Sequence, residues 1–197
     1  MTRRSRSQEE LRNASDSLIY EYWMLKGTTH LLLHHDDITE IGLLRNALLE
    51  SFLIHARALV DFFFVGKFNR EDDAIAGDYF DEREKDSWET HHADPDWFKD
   101  ARARINKGVA HISYERHKDV WDYMLIEREI SNTLDEFVKR VSVDLLSARW
   151  ETTKHNIRTG SESPIELPPF LMKGGILKTS FYPLPNPDWY PDKQGDD

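Results

Sequence analysis

Residues 40–65, EIGLLRNALLESFLIHARALVDFFFV, decide the fold class. Leu44, Leu48, Phe52, Leu59 and Phe62 recur at intervals of four, four, seven and three, the spacing that stacks side chains on one face of an α-helix. Further apolar residues spread around the helix, so burial on several sides is expected. Gly66 stands where a C′ residue would close it. Within this apolar segment Asn46, Glu50, Arg57 and Asp61 trace a polar line at spacings of four, seven and four. Arg57 and Asp61 are placed for an i,i+4 ion pair. His55 lies beside the apolar stripe, where a hydrogen-bonded core histidine is expected.

The same period continues on both sides. Ser15, Asp16 or Ser17 can cap a first helix reaching about His35, with Leu18, Tyr22, Leu25, Leu32 and Leu33 at its apolar positions. Gly27-Thr28-Thr29 marks a point where it can kink. Asp36-Asp37 and Thr39 form a turn and a new cap. Residues 67–93 are acidic and contain Gly77, and read as a loop with one or two short helical turns. Asp94-Pro95 opens a further helix running to about His117, with Gly108 as its weak point. A last helix, about 118–150, carries Val120, Tyr123, Met124, Leu134, Phe137, Val138, Val141 and Leu145. The pattern predicts an all-α bundle of four to five helices over 15–155, preceded by a flexible terminus, 1–14.

Residues 156–197 differ in kind. Seven of the eight prolines fall after Gly160, a density that forbids helix or sheet interior. Phe170, Leu171, Ile176, Phe181, Tyr182, Trp189 and Tyr190 are too apolar for a plain linker. An extended Pro/aromatic-rich arm is expected, lying across its own bundle or a second subunit, or serving as a tail with a partner motif.

Composition narrows the chemistry. The 197 residues suffice for one good core, and 6 Trp, 7 Tyr and 10 Phe supply large apolar groups to a chain that is 31% charged. With no Cys there is no disulfide, thiolate metal site or thiol nucleophile. No apolar run reaches membrane-spanning length, and the opening MTRRSRSQEE lacks the apolar segment of a secretory signal, so a soluble cytoplasmic protein is expected. Neither a GxSxG elbow, a glycine-rich phosphate loop nor HExxH occurs. Lys173–Thr179 (KGGILKT) has no strand or helix to frame such a loop. His30 and His34 are i,i+4, and Glu89-x-x-His92 occurs once, whereas a di-iron bundle needs that motif twice with two more carboxylates. They read as surface polar residues, and neither metal nor cofactor is expected.

The net charge of −10 argues against a surface that binds nucleic acid everywhere, but the charge is not evenly spread. Residues 71–96 hold eleven acidic residues against Arg83 and Lys85, a local net of −9. Residues 99–118 set Asp100 and Glu115 against Lys99, Arg102, Arg104, Lys107, Arg116 and Lys118, a local net of +4. Solvated helix faces produce such blocks routinely. The basic block, ARARINKGVAHISYERHK from Ala101, also places Arg104 and His111 seven residues apart, on one face if helical. An ordinary surface pair and a nucleolytic site share that pattern. Attack by an RNA 2′-OH needs a base of near-neutral pKa and a cation for the developing phosphorane charge, and His and Arg supply both without metal. Glu115, four residues past His111, can hold its imidazole. Glu50 and Arg57 can face this pair across the bundle, or simply form a solvent-facing seam.

A helical bundle carrying Arg104-Ile-Asn-Lys-Gly-Val-Ala-His111, an R-x6-H motif, resembles the HEPN superfamily over about residues 40–150. The resemblance implies a metal-independent RNase of a toxin–antitoxin or antiphage system, often dimeric, or an inactive relative. It implies His111 as acid/base and Arg104 as the stabiliser of phosphate charge, with the motifs of two subunits meeting in a cleft. Lys107, Glu115, Glu50 and Arg57 would be supporting residues. Ile105 follows Arg104 where the family's motif usually has a polar residue, and the register Asn106-x4-His111 would correspond to an inactive member. The alternative class is a non-catalytic helical interaction protein, a scaffold whose acidic connection and aromatic arm contact its partner. A homodimer, with RNA or a protein as partner and no membrane, is the expected setting.

Overall fold

The computed structural model describes residues 4–34, 42–64, 71–92, 105 and 121–150. Among them the protein is all-α, with four helices and no strand: α1 (Gln8–His34), α2 (Gly42–Phe63), α3 (Glu82–His91) and α4 (Tyr123–Arg140). Short 3-10 turns stand at Ala76–Tyr79, Val143–Leu145 and Ala148–Trp150. No helix among the described residues is long and apolar enough to cross a membrane.

α1 begins at Gln8, ahead of the expected start at Ser15–Ser17, so residues 8–14 are helical rather than part of a flexible terminus. The reason is a capping box. Ser7 Oγ accepts from the Glu10 amide at 3.2 Å, and Glu10 Oε2 accepts from the Ser7 amide at 2.9 Å. Ser15 lies mid-helix, fully buried, and serves another purpose. Its Oγ accepts from the Ser147 amide at 2.9 Å, its carbonyl accepts from Trp150 Nε1 at 2.9 Å, and Ser147 Oγ donates to Asp16 Oδ1 at 2.6 Å. These bonds dock the two C-terminal 3-10 turns on α1. Downstream, one helix runs through Gly27, which is buried, and the Thr28 and Thr29 hydroxyls donate back to the Leu25 carbonyl at 3.1 and 2.8 Å. The kink point is thus absorbed into the helix by side-chain bonds to its own backbone.

α2 buries Phe52, Leu53, Ala56, Leu59, Val60, Phe62 and Phe63 and packs chiefly along α1. The acidic connection is more ordered than a loop with helical turns. Asp81 caps α3 by accepting from the Glu84 amide at 2.9 Å, and Trp88, 0% exposed, drives the ten-residue helix into the core while Glu82, Arg83, Glu84 and Asp86 remain in solvent. α4 is shorter than the expected 118–150. It starts at the Asp122 cap, which accepts from the Leu125 amide at 2.9 Å, and ends where Val141 turns extended at φ −68°, ψ 143°. The last residues then make 3-10 turns against α1 instead of more helix.

Phe137 of α4 is the hub of the core. Its ring lies 5.4 Å from Phe62, 5.8 Å from Phe63, 5.3 Å from Tyr79 and 5.9 Å from Trp88, edge to face in each case. Such contacts add to area burial and hold helices from three parts of the chain in one register. Ile105, helical and 2% exposed, belongs to this same core. The rest of the expected helix from Asp94-Pro95, the closing Gly66, the turn at Asp36-Asp37 and the C-terminal arm lie outside the described residues.

Candidate functional site

Arg104, Lys107, His111 and Glu115 lie outside the described residues; the part of the motif segment on view is Ile105, directly after Arg104. Its burial gives a packing reason for an apolar side chain at a position where the family resemblance would put a polar one. The two supporting residues on α2 are described. Glu50 is half-buried, and Arg57 Nε lies 3.5 Å from Asp61 Oδ2, the i,i+4 pair expected from the spacing. At 100° per residue the polar line runs along the rim of the core face, beside the buried Leu53 and Val60, and Asp61 Oδ1 within it is buried. Leu43, 79% exposed, and Ile54, 52% exposed, lie on the outer side of the helix.

His55 is a bonded histidine at the edge of the core. Its Nδ1 stands 2.6 Å from Glu21 Oε2 on α1, and Tyr20 meets its ring edge-on at 5.8 Å. His30 and His34 lie 4.9 Å apart between ring centroids. Among the described residues no group of three or more His, Asp or Glu side chains is gathered as a metal would need.

Glu89-x-x-His92 separates into two structural contacts. Glu89 Oε1 lies 3.9 Å from Lys85 Nζ on its own helix. His92 closes α3, stacks on Trp88 at 3.7 Å and 14°, and sets Nδ1 3.0 Å from the Trp88 carbonyl and Nε2 3.3 Å from Glu136 Oε2 of α4. Since a carbonyl only accepts, Nδ1 carries a proton there. Arg140 completes the group: it bonds Glu136 Oε1 at 3.2 Å, donates to Ser87 Oγ at 3.3 Å and lies over the Trp88 ring at 5.4 Å. This cluster fixes the end of α3, the last described backbone before the motif segment.

A second polar network crosses from α1 to α4. Lys26 Nζ donates to Glu127 Oε1 at 2.5 Å, Ser131 Oγ donates to the same oxygen at 2.7 Å, and the Tyr22 hydroxyl meets Ser131 Oγ at 3.0 Å. Burial drives the Tyr22 hydroxyl's pKa well above the ordinary phenol value, so it stays neutral. Desolvation also raises Asp135 on the same helix, against the pull of Lys139 and Lys26. One oxygen of Glu127 is shared by a cation from α1 and a hydroxyl of its own helix, which ties α1 to α4. At the acidic end, a cleft of about 140 Å³ opens between α1 and the segment before the first 3-10 turn, lined by Arg6, Glu10, Asp72, Asp73, Asp78 and Tyr79. Arg6 bonds the Glu71 carbonyl and stands 4.0 Å from Asp78 Oδ2, so the cleft carries its own counter-charge.

Sequence spacing pointed to neither the His92–Glu136–Arg140 cluster nor the Lys26–Glu127–Ser131–Tyr22 network. Each joins residues 44 or more apart in sequence, a separation no local pattern encodes. No family model, curated protein or solved structure matches the chain.

Proposed function

We propose that this chain is a HEPN-like helical protein that acts as a homodimer and cleaves RNA without a metal, through Arg104 and His111. The observation that carries the reading is Ile105, helical and 2% exposed in the core shared by α1, α2 and α4. A residue so anchored supports a motif segment held by the rigid bundle, as positioned catalysis requires. In the proposed reaction His111 takes the proton of an RNA 2′-OH, and the 2′ oxygen attacks the adjacent phosphorus. The bond from phosphorus to the 5′ oxygen breaks, that oxygen takes a proton from water as it leaves, and a 2′,3′-cyclic phosphate remains. Arg104 neutralises the charge that builds on the phosphoryl oxygens.

The test incubates the full chain with single-stranded RNA in EDTA. Cleavage is expected, with His111→Ala lowering the rate about 10²- to 10⁴-fold and Arg104→Ala by a similar factor, while far-UV circular dichroism stays unchanged. An intact RNA pool with wild-type protein overturns the reading.

The second reading is a non-catalytic interaction protein. It is favoured by α3, which turns the acidic connection into an ordered helix with Glu82, Glu84 and Asp86 in solvent. Cleavage that disappears with His111→Ala sinks this reading as a complete account.

A further inference from the structure

The apolar stripe of α2 is buried over only part of its length. Leu59 and Phe62 are 0% and 7% exposed, whereas Leu44, 42% exposed, and Ala47 stand in solvent and Leu48 is half-buried. Ile54, 52% exposed, borders the same side. His55 holds this edge against α1, with Nδ1 2.6 Å from Glu21 Oε2, and Tyr20, 45% exposed, meets the His55 ring at 5.8 Å. Met24, half-buried and one turn beyond Tyr20, continues the line along α1. The result is an apolar strip over two helices, about 15 Å long from Ile54 to Leu44, that the core does not use.

The last described residues lie beside this strip. Ser147 Oγ donates to Asp16 Oδ1 at 2.6 Å and Arg149 Nε stands 3.7 Å from the same oxygen, so the described chain ends at the level of Asp16 on α1. Tyr20 lies four residues on from Asp16, on the next turn of the same face and about 6 Å along the axis. Residues 151–197 follow, with seven of the eight prolines and with Phe170, Leu171, Phe181, Tyr182, Trp189 and Tyr190. Such a proline density forbids helix and sheet interior, so these side chains have no core of their own and are buried only against another surface. We infer that residues 164–191 dock on the α1–α2 strip of their own chain as an extended segment. At about 3.1 Å per residue, five residues of polyproline II cover the strip. A tether of the length of 151–163 spans about 20 Å, enough to reach either end. It also holds the segment at an effective concentration in the millimolar range, which favours the same chain over a second copy.

The inference stands apart from the nuclease reading, and its test involves no RNA. Because the chain has no cysteine, Leu43→Cys in the full chain gives one thiol beside the strip, which is labelled with a benzophenone maleimide and irradiated. Peptide mapping by mass spectrometry is expected to find the label joined to residues 164–191 in a product of monomer mass, whereas Glu82→Cys on α3 should give no such adduct. A product of dimer mass, in which the segment of a second copy sits on the strip, overturns the inference, as does an adduct elsewhere or none at all. The second measurement is trypsin cleavage after Lys173 and Lys178, both within the segment. Leu44→Glu with Ile54→Glu should speed it about tenfold or more while circular dichroism stays unchanged, since a docked site is cut only when it opens. An unchanged cleavage rate overturns the inference equally.

Discussion

Glu10 illustrates how much one exposed side chain can organise. It closes the capping box with Ser7 and accepts from Arg4 at 2.5 Å, and these contacts hold its carboxyl down at about 2, with the Arg4 bond the largest cause. The folded value lies below the unfolded one of roughly 4.3, so the contribution to stability is present above pH about 4.3 and is lost as pH falls through about 2. A carboxyl titration followed by NMR should place the Glu10 midpoint near 2, and Arg4→Ala should move it upward toward the ordinary range. An unmoved midpoint would assign the shift to the Ser7 contacts instead. Trp88 is the contrasting case. Fully buried, it donates its indole N–H to the Phe63 carbonyl at 2.9 Å and carries His92 on its ring face, so a single side chain fastens α3 to both α2 and α4.

The helices end where local chemistry stops them, and they lie where long-range bonds put them. α3 shows both. Asp81 starts it, His92 closes it, and the 3-10 turn Ala76–Tyr79 supports it from beneath, with Tyr79 donating its hydroxyl to the Leu11 carbonyl at 2.7 Å. Gly77 sits in that turn facing α3. A Cβ there would meet Glu89 Oε1 at 3.3 Å, the far end of a flexible side chain that can give way, and Lys85 Cε and Cγ at 3.4 Å, close to ordinary contact. Gly77→Ala should therefore be neutral or stabilising by up to about 1 kcal/mol, because the unfolded chain loses freedom and the folded one loses nothing rigid. Urea denaturation measures this, and a loss beyond about 1 kcal/mol would mean that the Lys85–Glu89 pair cannot shift. α1 and α4 are joined differently, by the Lys26–Glu127–Ser131–Tyr22 network at half-buried positions, where each polar group has a partner.

For the molecule as a whole, the telling position is Ile105. It ties the basic segment to the core that also holds Phe52, Phe63 and Phe137. Ile105→Ala should lower global stability by about 2–4 kcal/mol in a chemical denaturation curve, the range for a buried aliphatic side chain cut to alanine. On the proposed nuclease reading, RNA cleavage should fall with it at temperatures well below the melting midpoint, because the motif would lose its anchor before the bundle unfolds. If stability drops while cleavage holds, the anchor and the site are independent. The acidic and basic blocks of the chain also belong to this scale: α3 carries the acidic charge outward on an ordered surface rather than in a slack connection.

The all-α class and part of the core of α2, Phe52, Leu59 and Phe62, were legible from residue spacing alone, whereas Leu44 of the same stripe is exposed because that end of the helix has no neighbour to bury it among the described residues. The Arg57–Asp61 pair was legible for the same reason: it is local. The capping box at Ser7-x-x-Glu10 and the Asp81 cap of α3 were equally written in the sequence, yet were overshadowed by Ser15–Ser17 and by the acidity of residues 71–96. Other features had no local signature. That Ser15 receives Ser147 and Trp150, that His92 turns to Glu136, and that Phe137 becomes the meeting point of five rings depend on segments distant in sequence packing together. Spacing also singled out Arg104 and His111 as a pair on one face. The sequence by itself thus determined the all-α class, the existence of α1, α2 and α4 and the polar line of α2, because those follow from the period of the backbone. Only the tertiary structure decided which side of α2 faces solvent and which aromatic rings share a core, because burial is a property of neighbours and not of any one segment.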